Sequence, residues 1–104
     1  MSDSMTRISV TELCEREGVS RALLVEMVEY EIARPLAGES REDWIFDVSS
    51  AGWLTRALRL RRDLELDTGA VAVLVDLLQQ RERLQRENEC LRQQLERFLS
   101  SEGG

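Results

Sequence analysis

The chain has 104 residues, 42% of them hydrophobic and 33% charged, with a formal net charge of −6 and no histidine. That length holds one small core plus an appendage and excludes a large multidomain enzyme. Charge above the typical ~25% of residues points to a soluble, helix-rich protein. No apolar run approaches the ~18 residues of a membrane span, and the N-terminus lacks the basic and apolar regions of a signal peptide, so the expected location is cytoplasmic.

The charge is unevenly placed. Residues 1–55 carry five Arg against eleven Asp plus Glu, whereas residues 56–104 carry nine Arg against nine acids. Without His the commonest general base is missing, and the single Tyr30 has no evident catalytic partner. Cys14 and Cys90 fall in separate predicted helices, with no second Cys or any His at metal-ligand spacing. Cys14 therefore reads as a small core residue in preference to a redox switch. No catalytic, cofactor or metal site is expected.

In chain order, residues 1–6 read as a flexible tail and Arg7 to Val10 as a short strand. Thr11 and Ser20 are helix-start residues, and Gly18 supplies a turn between helices over about 11–17 and 20–31. This is a helix-turn-helix with Leu13, Cys14, Val19, Leu23, Leu24, Met27 and Val28 available for its apolar faces. Its second helix has the wrong charge for DNA, offering Arg21 against Glu26, Glu29 and Glu31. Pro35 then ends helical structure, and Gly38-Glu39-Ser40 joins Arg34–Ala37 to Asp43–Phe46 in a small hairpin, or wing, on which Trp44 and Phe46 share a face.

Asp47, Ser49 or Ser50 can cap a third helix running to about Leu64, with Trp53, Leu54, Ala57, Leu58, Leu60 and Leu64 available for burial. Its Arg56, Arg59, Arg61 and Arg62 form the most basic stretch of the chain. A solvated face with salt bridges to Asp63, Glu65 or the acidic half is favoured there over an anion or nucleic-acid contact, because no aromatic residues are interleaved for stacking.

Asp67 or Thr68 can cap a last helix, and from Ala70 to Leu99 there is neither Pro nor Gly. Leu77, Leu84, Leu91 and Phe98 recur every seven residues, with Leu74, Arg81, Asn88 and Leu95 in the companion column. That is a coiled-coil seam with a polar interruption at Arg81 and Asn88, and it implies a homodimer. Glu87 and Arg92 are spaced to pair across a parallel dimer; an antiparallel pairing, or docking onto the same chain, stays open. The fold expected is mainly α: a winged helix-turn-helix domain over 7–66 with a small β wing, a long coiled-coil helix over 67–99 for dimerisation or packing, and a flexible tail over 100–104.

Taken together, the helix-turn-helix, the wing ending Trp44-Ile45-Phe46-Asp47, the run from Arg56 to Asp67 and the terminal Leu84 to Leu95 helix closely resemble the CbpM family of bacterial chaperone modulatory proteins. The resemblance covers nearly all of the chain from Ile8 to Phe98. More distantly, Thr11 to about Leu78 is similar to the winged-helix DNA-binding domain of MerR-type regulators, departing from them at the second helix, where the Arg and Tyr residues of such regulators are mostly replaced.

The CbpM resemblance implies a non-enzymatic regulator that binds the J-domain of a CbpA-like, DnaJ-related co-chaperone, blocks its stimulation of a DnaK-type chaperone, and opposes the co-chaperone's own DNA binding. Through that partner the protein would also reach the nucleoid. The surface expected to meet a basic J-domain helix comprises Glu26, Glu29 and Glu31, with Glu15 and Glu17 as rim charges and an apolar anchor among Leu23, Met27, Tyr30 and Trp44. The competing reading is a dimeric DNA-binding transcription regulator using Arg21, Arg34, Arg41 and Arg56 to Arg62. Its topology argues for it and its electrostatics against it, so direct DNA binding is disfavoured.

Overall fold

The computed structural model describes residues 7–103; the tail expected over 1–6 lies outside them. Strand β1 (Arg7–Ser9) leads directly into helix α1 (Val10–Glu17). The start differs from expectation by two residues. Ser9, not Thr11, is the cap, its hydroxyl accepting from the Glu12 N–H at 3.1 Å, because Ser-x-x-Glu at 9–12 is the stronger helix-start pattern. Gly18 closes α1 in the left-handed conformation, φ 67°, and donates its N–H to the Cys14 carbonyl. Ser20 then caps helix α2 (Arg21–Glu29) through the Leu23 N–H, completing the helix-turn-helix.

Helix α2 stops before the expected residue 31. Tyr30 leaves the helix, Glu31 takes φ 61°, and the Ile32 N–H returns to the Met27 carbonyl, which turns the chain so that Ile32 and Ala33 enter the core. The wing also differs. Only one bridge, Ala37 to Ile45, joins its two arms, and strand β2 (Ile45–Asp47) makes its ladder with β1, Ile8 opposite Phe46. Gly38 makes the wing turn possible: at φ 115° a Cβ there would lie 2.5 Å from the Asp43 carbonyl oxygen.

Asp47 ends β2 and caps helix α3 (Val48–Leu64), its carboxylate accepting from Ser50 at 2.8 Å. Asp67 does the same for helix α4 (Thr68–Gly103) through Ala70. Val10, Leu13, Leu24, Met27, Phe46, Leu54 and Ala57 meet Val71 and Val75 of α4 in one core. The long helix thus begins as part of the winged domain and only then leaves it: every residue from Arg83 to Glu102 is exposed. A radius of gyration of 18.0 Å, against ~13 Å for a compact chain of this length, expresses that protrusion.

Three further expectations are corrected. Leu64 is exposed, because the last turn of α3 runs past the core. Leu60 is only half-buried. Residues 100–103, expected as part of a flexible tail, continue α4, since Ser100 to Glu102 contain no residue that breaks a helix.

Candidate functional site

Helix α2 turns Leu24 and Met27 into the core and presents Ala22, Glu26 and Glu29 to solvent on its other side. These three share a face by the i, i+4, i+7 spacing. Tyr30, 51% exposed, borders it at the helix end. The ring of Tyr30 lies over the start of α4, where a Cβ on Gly69 would be 3.5 Å from its Cε1. The structure therefore gathers Glu26, Glu29, Tyr30 and Glu31 at one end of the domain.

Two of these carboxylates already have partners. Glu29 Oε2 accepts from Arg41 Nη2 of the wing at 3.2 Å, and Glu31 Oε1 lies 3.7 Å from Arg34 Nη2. Glu26 has no ion-pair partner among the described residues. Arg41 was legible as a wing cation, but its pairing with Glu29 spans twelve residues and had no local signal.

The other expected surface residues are dispersed. Met27 is fully buried, so it is a core residue and offers no anchor. Trp44 is half-buried with its ring edge-on to Phe46, centroids 6.3 Å apart. Glu15 is exposed on α1. Glu17 is turned away to α3, accepting from the Thr55 hydroxyl at 3.0 Å and pairing with Arg16 at 3.2 Å, while Leu23 lines the same groove beside α3. Neither Glu17 nor Leu23 extends the outward face of α2, because the turn at Gly18 folds that edge against α3.

The basic stretch of α3 divides in two. Arg56 stacks over Trp53 at 4.5 Å and pairs with Glu82 of α4 at 2.9 Å. Arg62 pairs with Asp63. Burial pushes the Cys14 thiol above its usual range, with the Arg21 guanidinium pulling partly the other way. Among the described residues no cluster of His, Cys, Asp and Glu is arranged to hold a metal ion, and no helix is long and apolar enough to cross a membrane.

Along α4 the seam residues stand outward: Leu77, Leu84, Leu91, Leu95 and Phe98 are all more than half exposed, with Arg81 and Asn88 exposed between them. Leu74, at the domain end, is half-buried.

The model of the MerR HTH family regulatory proteins matches residues 8–93. Proteins named chaperone modulatory protein CbpM also align along almost the whole chain. The one from Pseudomonas putida is 35% identical over 98 residues, 94% of this chain and 96% of its own length; those from Salmonella paratyphi B and Salmonella newport are 38% identical over 100 residues, 96% and 98%. The chain belongs to the CbpM family. Membership places a MerR-like fold in a group named for regulation and not for catalysis. For a CbpM family member the altered charge of α2 is the telling local feature, since a helix that faces solvent with Glu26 and Glu29 repels phosphate.

Proposed function

We propose that the protein modulates a chaperone by binding the J-domain of a CbpA-like co-chaperone, preventing it from stimulating a DnaK-type chaperone and opposing its binding to DNA. Family membership carries this reading, and the exposed carboxylates of α2 support it. A J-domain presents a basic helix to DnaK; Glu26, Glu29 and Glu31 compete for it by charge complementarity, with Tyr30 as the half-exposed aromatic beside them. The charges mainly set association rate and partner choice, at ~0.2–1 kcal/mol for each exposed pair.

The protein acts in the cytoplasm as a homodimer through the seam from Leu74 to Phe98. Six apolar seam residues, all but Leu74 more than half exposed, are set to meet a second copy of themselves, Leu facing Leu, and the polar Asn88 limits the alternatives. The DNA-binding reading has the helix-turn-helix topology in its favour but needs cations where α2 carries Glu26 and Glu29.

Isothermal titration into the isolated J-domain of the co-chaperone from the same organism, at two salt concentrations, tests the proposal. Saturable binding that weakens with salt is the expected result. Salt-insensitive binding would move the site to an apolar surface, and absence of binding to a folded J-domain would overturn the function.

A further inference from the structure

A second recognition surface lies beside the helix-turn-helix, on residues that the outward face of α2 does not use. The turn at Gly18 and the first turns of α2 stand off from α3 and leave a groove of about 330 Å³. Val19, Leu23 and Leu58 give it an apolar floor, and Arg59, Arg61 and Arg62 line it from α3. In a chain of net charge −6 this places three guanidiniums together.

Their charge is poorly compensated. Glu17, the acid in the groove, is engaged by Arg16 and Thr55. Arg62 has only its exposed sequence neighbour Asp63. Arg59 has no ion-pair partner among the described residues, and Arg61 Nε is buried with no hydrogen-bond acceptor among them. Arg presents a fork of N–H donors matched to a carboxylate, so lining guanidiniums without a full set of acceptors favour that group.

We infer that this groove binds an acidic peptide segment, seating an apolar side chain on Val19, Leu23 and Leu58 while flanking carboxylates meet Arg59, Arg61 and Arg62. The apolar floor favours a peptide over a nucleic acid, and a long polyanion leaving the groove along α2 would meet Glu26.

The probe is a fluorescein-labelled peptide with the repeat Glu-Glu-Leu, followed by fluorescence anisotropy at low salt. Saturable binding is expected, weakened about tenfold or more by R59Q/R62Q through the loss of two charge-assisted contacts. R83Q/R86Q, an equal loss of charge on the free part of α4, leaves binding within about twofold. Amide shifts in ¹⁵N spectra are expected around Gly18, Val19 and Arg59, and both variants keep wild-type far-UV spectra because the altered side chains are exposed. Equal binding of a Gln-for-Glu peptide, equal weakening by R83Q/R86Q, or tighter binding of a single-stranded oligonucleotide of the same charge would each overturn the inference.

Discussion

Replacing Leu84 and Leu91 by Glu separates the role of α4 in the fold from its role between chains. Each leucine is 64% exposed in the single chain, so neither supports the core, and the double variant should change the folding stability of the monomer by less than ~0.5 kcal/mol. Between two copies the same leucines become buried. Burying a whole leucine is worth ~2 kcal/mol, so each recovers ~1.3 kcal/mol, and four of them per dimer recover about 5 kcal/mol. Their loss corresponds to a dissociation constant raised ~10³- to 10⁴-fold, before repulsion between the new carboxylates. Leu77, Leu95 and Phe98, all more than half exposed, add enough apolar surface for a wild-type dimer to survive the ~4 kcal/mol or more that association opposes. Sedimentation velocity over a concentration series should show a wild-type dimer and a monomeric L84E/L91E, and the thermal melt should depend on protein concentration in the wild type and not in the variant. Identical sedimentation of the two proteins at every concentration would refute the reasoning, whichever species they share.

On the acidic face, E26R/E29R should weaken J-domain binding several-fold or more, because each reversal replaces attraction by repulsion at ~0.2–1 kcal/mol per exposed pair; unchanged affinity in the folded variant, read by titration, removes this face from the site. R41A acts in the opposite direction. It releases Glu29 from its 3.2 Å pairing, so J-domain affinity should rise about twofold at low salt and the gain should vanish at high salt. Cysteine reactivity should split, with a thiol-alkylating reagent at neutral pH modifying exposed Cys90 well before Cys14, as peptide mass mapping would show. The raised Cys14 pKa has a definite sign in stability: the folded state holds the thiol proton more tightly than the unfolded state, so stability is constant near pH 7 and falls as pH rises through the thiol range, measurable by denaturant midpoints.

At three of the four helix starts the short polar side chain that captures a backbone N–H was legible, Ser9 being the exception. Ser20, Asp47 and Asp67 start α2, α3 and α4 because each offers an oxygen at the right offset. Helix ends were legible at Gly18 and also at Leu64, where α3 stops as expected although its cap is Glu65 at φ 52°. Gly18 closes α1 at the expected place, whereas Glu31 adopts the same left-handed region with no residue-type signal, so α2 read two residues too long. The wing shows the limit of local reasoning. Gly38 correctly marked the turn, yet β2 pairs chiefly with β1, nearly forty residues earlier, and no spacing between neighbouring segments encodes that partner. The candidate site was legible in its charges and less so in its anchors. On α2, Leu23, Met27 and Tyr30 lie on neighbouring helical positions, and only packing against α3 and α4 decides that Met27 is core, Leu23 lines a groove and Tyr30 faces out.

Under the proposed function, the arrangement of α2 is what would turn a DNA-reading scaffold toward a protein partner. Carboxylates on the solvent side of α2 oppose the phosphate attraction that supplies nearly all nonspecific DNA affinity, while leaving the caps and core of the helix-turn-helix untouched. Those carboxylates would weaken the domain by mutual repulsion if left bare, and Arg41 and Arg34 hold Glu29 and Glu31 at the surface. Such pairs are exposed and individually weak, so the proposed basic partner would exchange them at little cost. Selectivity would then rest on presenting several exchangeable carboxylates together beside Tyr30, and duplicating that face through α4 would raise its local concentration without adding a single contact to it.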